Sequence, residues 1–176
     1  MKFNATNGVQ SYATTVLGTN AGDGTFAIFD DDASAAPDAL TFSGQIGATG
    51  IKSLTVGNAT QGGSAIFTNA NAVVATTISV LGGDNSAEDS IAEFQGAVTA
   101  TAIVLNDATG DATIEFNATN GAKTIAGTID AASAGEGTVL VTDDDASAAP
   151  DALTFTGAFG GTGRVGALTI GSEIGR

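Results

Sequence analysis

The sequence predicts an all-β fold, a stacked repeat of the three-sided parallel β-helix (solenoid) kind, with a β-sandwich as the alternative. Three observations lead there. Short β-like runs recur at near-even spacing, turn-forming residues fill the gaps, and whole phrases of sequence return letter for letter. After an opening strand at Lys2-Phe3-Asn4-Ala5-Thr6, the runs are LTF from Leu40, SLTV from Ser53, AIF from Ala65, TISV from Thr77, IAEF from Ile91 and AIVL from Ala102. They continue as TIEF from Thr113, TIAGTI from Thr124, TVLV from Thr138, LTF from Leu153 and ALTI from Ala167. The starts are close enough together for short strands joined by turns. Most runs alternate Thr or Ser with a β-branched or aromatic residue, the period-two pattern of a half-buried strand. Gly, Asn, Asp and Ser crowd the gaps, where their backbone-bonding side chains and φ freedom favour turns. No stretch carries a sustained apolar period near 3.6, so helix is a poor reading throughout.

The repetition is nested. Asp30–Phe42 and Asp143–Phe155 both read DDDASAAPDALTF, and FNATNG at Phe3–Gly8 returns at Phe116–Gly121. The offset in numbering is the same for both pairs, so one long repeat contains them. The copies then drift by one, SLTVG from Ser53 becoming ALTIG from Ala167. Taken in threes, the runs define units of roughly 38 residues, within the range of solenoid repeats. Their boundaries are 29–66, 67–104, 105–141 and 142–176, after a partial coil over 1–28. Three units fill the long repeat. Three short strands cannot bury an apolar face alone, but stacked units bury a continuous core. One repetitive domain over 1–176 is therefore expected, with about four coils and the matched acidic turns along one side. So regular a rhythm of three-strand units has no reason to exist in a sandwich, whose strands otherwise suit this spacing.

Composition excludes several functions. With 19 Asp and Glu against 5 Lys and Arg, the net charge of −14 repels phosphate backbones and anionic lipid, so no nucleic-acid partner is expected. No apolar run approaches the length of a bilayer span, so no membrane insertion is expected either. The opening Met1-Lys2-Phe3-Asn4 has no apolar h-region, so a signal peptide is expected to be absent or already removed. Cysteine and histidine are both absent, which removes disulfides, thiol nucleophiles, Cys/His zinc sites and the usual general base. With one Tyr and no Trp to platform a sugar, paired carboxylates such as those of GGDNSAEDS (Asp84, Glu88, Asp89) read as a solvated turn. The chain is expected not to be an enzyme.

The phrases ALTFTGAFGGTGRVGALTIG and IFTNANAVVATTISV resemble bacterial β-strand-repeat surface proteins: autotransporter passengers, S-layer proteins and large repetitive adhesins. That resemblance implies export, an extracellular or bacterial cell-surface location and a structural role in a layer, filament or adhesin stalk. The implied partners are copies of the chain itself or adjacent repeats of a longer chain. The alternative function is an adhesin module whose turns recognise glycan or a host surface. Families of this kind carry a C-terminal translocator or sorting domain, and none is recognised within these residues.

The sharpest polar features are the acidic turns. Asp30, Asp31, Asp32 and Asp38 form one cluster of four carboxylates, and Asp143, Asp144, Asp145 and Asp151 form the other. Such a set could give oxygen ligands to Ca2+, which takes six to eight of them, or simply face solvent. The spacing matches neither the D-x-D-x-D-G loop nor the G-G-x-G-x-D nonapeptide. Asn4-Ala5-Thr6, Asn58-Ala59-Thr60 and Asn117-Ala118-Thr119 match the glycosylation pattern, which turn chemistry explains first.

Overall fold

A computed structural model describes residues 1–5, 8–31, 37–68, 72–119, 121–143 and 151–171. Among the described residues it contains fourteen strands and no helix. In chain order these are β1 (Lys2–Asn4), β2 (Gln10–Tyr12), β3 (Asp23–Phe29), β4 (Ala39–Phe42), β5 (Ile51–Val56), β6 (Gly63–Phe67) and β7 (Val73–Leu81). There follow β8 (Ser90–Phe94), β9 (Val98–Asn106), β10 (Ala112–Asn117), β11 (Lys123–Ala131), β12 (Glu136–Thr142), β13 (Leu153–Phe155) and β14 (Val165–Ile170). Odd-numbered strands form one sheet and even-numbered strands the other, each in unbroken chain order. Every pairing between strands is parallel. The fold is a parallel β-solenoid of about six turns, which removes the antiparallel sandwich.

Three walls arise from these two sheets because one of them is creased. Along β7, Val73 and Ala75 are buried, Thr76 and Thr77 both turn outward, and Ile78 and Val80 are buried again. A straight strand alternates strictly, so both arms face the core only if the chain turns a corner at Thr76–Thr77. Lys52–Ser53 in β5 and Thr101–Ala102 in β9 sit at the same corner. In β11 the single residue Gly127, at φ 129°, replaces the pair Ala100–Thr101, and the register with β9 shifts there. A β-carbon at Gly127 would lie 2.5 Å from the Ala100 carbonyl oxygen, so glycine is required at this bulge.

Coil size departs from the sequence expectation. In-register partners mark successive turns of the solenoid: Glu93 pairs with Glu115, and Lys123 with Leu153. Both intervals are shorter than the expected unit. The predicted units 29–66, 67–104 and 105–141 do hold three strands each, but a coil uses only two, since the creased strand builds two walls. A unit is thus one and a half coils, and the expected four coils become about six.

The half coil has a further effect. Nine strands separate β1 from β10, so the second copy of each phrase lands on the opposite sheet. FNATNG ends β1 in one copy and β10 in the other, and LTF is β4 and then β13. The two DDDASAAPD turns link odd to even sheet in the first case and even to odd in the second, at different corners. They do not line one side, as the sequence suggested.

The core is a set of in-register columns. On the even sheet, Tyr12, Phe42, Phe67, Phe94 and Phe116 stand one above another. The rings of Phe42, Phe67, Phe94 and Phe116 stack at centroid distances of 5.6, 4.9 and 6.0 Å. Two residues earlier runs the column Leu40, Ala65, Ala92, Ile114 and Val139, whose alanines leave room for Phe67 and Phe94. Facing them from the odd sheet are Leu54, Ile78, Ile103 and Ile129, all buried.

Candidate functional site

The acidic turns begin with the same clasp. Asp30 is 2% exposed, and its Oδ2 accepts the Asp38 main-chain N–H at 2.6 Å; Asp143 Oδ2 accepts that of Asp151 at 2.7 Å. Asp151 Oδ2 in turn takes the Gly121 N–H, from the preceding coil. Asp31 is exposed, and its N–H donates to Asn4 Oδ1 at 3.3 Å. Asp32, Asp144 and Asp145 lie outside the described residues. The predicted carboxylates fall into two separate sets, one in each turn. They belong to two turns on different corners, about four and a half coils or roughly 20 Å apart along the axis. Among the described residues, no three Asp or Glu side chains gather into a metal-holding group by themselves.

Main-chain N–H groups at the corners point along the stack, and carboxylates satisfy several of them across coils. Glu88 Oε2 accepts from Gly62 at 2.7 Å, Asp89 Oδ1 from Asp111 at 2.8 Å, and Asp130 Oδ1 from Thr162 at 3.2 Å. Asp107 accepts twice, from Ala112 at 2.8 Å and from Gly137 in the next coil at 2.7 Å. Bonds to a charged acceptor are the stronger kind. GGDNSAEDS is thus more than the solvated turn expected of it: Asp84 is exposed, whereas Glu88 and Asp89 fasten neighbouring coils.

The Asp107 clasp carries a prediction. Asp107→Ala leaves two N–H groups without an acceptor, and each costs about 1–3 kcal/mol where water cannot replace it. The expected results are a lower urea midpoint and lost hydrogen-exchange protection at the Gly137 amide. Unchanged protection at Gly137 would remove the clasp from the account.

One constellation was not singled out from sequence. Glu93 and Glu115 lie in register on the outer face of the even sheet. Like charges placed directly opposite repel. Here Gln95 Nε2 and Asn117 Nδ2 donate to Glu93 Oε1 at 2.8 and 3.1 Å, and Thr142 Oγ1 donates to Glu115 Oε1 at 2.6 Å. The signal was present in the phrases IAEF and TIEF, whose glutamates precede the stacked phenylalanines. The Asn-Ala-Thr at Asn58 works as a turn: Asn58 Oδ1 accepts both the N–H and the hydroxyl of Thr60, each at 2.9 Å.

A groove of about 250 Å3 at the N-terminal end is lined by Met1, Thr15, Val16, Leu17, Gly24, Thr25 and Ile51, with no carboxylate side chain among them. Apolar side chains are uncovered at both ends. Leu168 and Ile170 on β14 are 49% and 74% exposed, while Val139, which pairs with Leu168, is fully buried. Met1, Val9 and Leu17 are exposed at the other end. No helix among the described residues is long and apolar enough to cross a membrane. No protein-family model matches the chain, and comparisons with curated proteins and with solved structures give no match.

Proposed function

We propose that the chain is a structural β-solenoid segment of a bacterial cell-surface or extracellular assembly, a layer, filament or adhesin stalk, extended by further coils of the same kind. The observation that carries this reading is the exposed apolar face of β14. Its columns continue in register from β12, yet Leu168 and Ile170 are open to solvent, where Val139 and, one coil further back, Ile114 and Phe116 are fully buried and Val141 is half-buried. A row of unpaired backbone groups beside exposed apolar columns is a template for another parallel strand. The covering coil belongs either to a neighbouring repeat or to a second copy.

The surface suits that role better than ligand recognition. Phe26, Phe42, Phe67, Phe94 and Phe116 are all buried, so five of the nine phenylalanines are spent on the core and not offered as a sugar platform. The charge of −14 keeps copies apart unless salt screens it, within a Debye length of about 8 Å at physiological ionic strength.

Sedimentation of the chain over a range of concentration and NaCl tests the proposal. Association is expected to grow with both, with end-to-end particles in electron micrographs, and Leu168→Asp with Ile170→Asp is expected to suppress it. A monomer at every salt and concentration would count against extension by copies. Equal association of the double variant would place the contact elsewhere.

A further inference from the structure

We propose that one corner of the solenoid, where Asn117–Thr119 pass beside Asp143, binds a single hard divalent cation of the calcium type. The ligands from this corner are Asn117 Oδ1, Thr119 Oγ1 and Asp143 Oδ1. This does not depend on the surface role proposed above.

Among the described residues, three buried side-chain oxygens lack a hydrogen-bond partner, and they are these three. Buried polar atoms in folded proteins nearly always have a partner, so each orphan asks for a reason, and an ion or a bound water is the usual one. Their concentration in one corner follows from the register. Asn117 pairs with Thr142, and the Ala118 N–H donates to the Thr142 carbonyl at 2.9 Å, so 117–119 run beside the start of the acidic turn.

The amide of Asn117 is oriented by its other end. Asn117 is 1% exposed, and its Nδ2 is held on Glu93 Oε1, which turns Oδ1 of the same planar group away from Glu93. The first copy of the repeat shows where that leads. There the equivalent Asn4 Oδ1 receives the Asp31 N–H, inside the turn that follows Asp30.

The chemistry favours a cation. An amide oxygen and a carboxylate oxygen only accept, so neither can satisfy the other. The Thr119 hydroxyl, which could donate, bonds to neither. Two carboxylates share the corner: Asp143 Oδ2 accepts the Asp151 main-chain N–H and Asp151 Oδ2 that of Gly121, neutral donors that leave the charge of the pair only partly offset. An all-oxygen set with no nitrogen or sulfur donor disfavours zinc and suits Ca2+, which tolerates irregular geometry and completes its shell with water.

The letter-identical first turn makes the control. No described oxygen at the Asp30 corner is an orphan: Asn4 Oδ1 has a donor, and Asp30 is clasped to Asp38. One ion per chain is expected, not two.

Calorimetric titration of the full chain with CaCl2, together with thermal melting in Ca2+ and in EGTA, tests this. The expected result is one site with Kd of about 10⁻⁴–10⁻³ M, the weak end of the calcium-site range, and a higher Tm in Ca2+. Asn117→Leu and Asp143→Asn should abolish both the heat and the shift, while Asn4→Leu and Asp30→Asn should retain them. No heat and no shift up to about ten times that Kd would overturn the proposal and assign the orphans to bound water. Two sites per chain, or loss of binding in Asp30→Asn, would also overturn it, by making binding a property of acidic turns in general. If a variant fails to fold, the stoichiometry of the unaltered chain still decides between one site, two and none.

Discussion

Phe67→Ala is expected to lower the free energy of unfolding by about 3–5 kcal/mol, the range for deleting a fully buried aromatic side chain. Phe67 stands in the middle of the stacked column, with ring contacts to Phe42 on one side and Phe94 on the other. Its removal opens a cavity that Ala65 and Ala92, already small, cannot fill. Main-chain bonds hold neighbouring coils at a fixed spacing of about 4.8 Å, so the stack cannot collapse into the gap. Phe67→Leu should lose less, because most of the volume remains. Solenoids can unfold in parts, so the sharper measurement is hydrogen exchange by segment. Protection should fall first in β4, β6 and β8, and a uniform loss over all coils would contradict a core of local columns.

The second large effect concerns a residue with no side chain. Gly57 closes β5 at φ 75°, in the left-handed region, and a β-carbon there would lie 2.0 Å from the Leu81 carbonyl oxygen and 2.1 Å from Ser90 Oγ. Ser90 is itself buried, donating to the Leu81 carbonyl and accepting the Gly63 N–H at 3.1 Å. Gly57→Ala must therefore displace a backbone carbonyl and a buried hydroxyl bridge together. A loss above about 4 kcal/mol is expected, in the rare upper tail of single substitutions. Gly24 provides the comparison. Its φ is 80°, yet nothing lies within 4 Å of a β-carbon there. Gly24→Ala should show only the left-handed penalty of about 1–2 kcal/mol. Urea midpoints of the two variants separate conformation from contact, and equal losses would show that the close approach at Gly57 does not matter.

Much of this architecture can be read in the sequence, and what cannot has a physical cause. Strands from β4 to β14 coincide with alternating runs such as SLTV and TIEF, because period two survives wherever one face is buried. QSY (β2) and DGTFAIF (β3) were missed, the first being short and polar and the second opening on Asp and Gly. Coil length was misread because strand counting treats each apolar run as one wall. β7 builds two walls from a single strand, and its corner is marked only by the consecutive outward residues Thr76 and Thr77. The carboxylate clasps were beyond reach for another reason. Asp107 and Glu88 accept from the backbone N–H groups of Gly137 and Gly62, a coil away, and a backbone donor leaves no letter in the sequence. The acidic turns were found, but their placement on separate corners depended on the coil count.

The creased, two-strand coil also bears on mechanics. A repeat of nine strands advances by an odd half-turn, so a lateral bend built into one copy is presented on the other flank by the next. Only after two copies, nine coils and about 43 Å of rise, does the pattern return to the same sheet. Lateral asymmetry in one copy is thus offset by the next, and each recurring turn is displayed alternately to left and right.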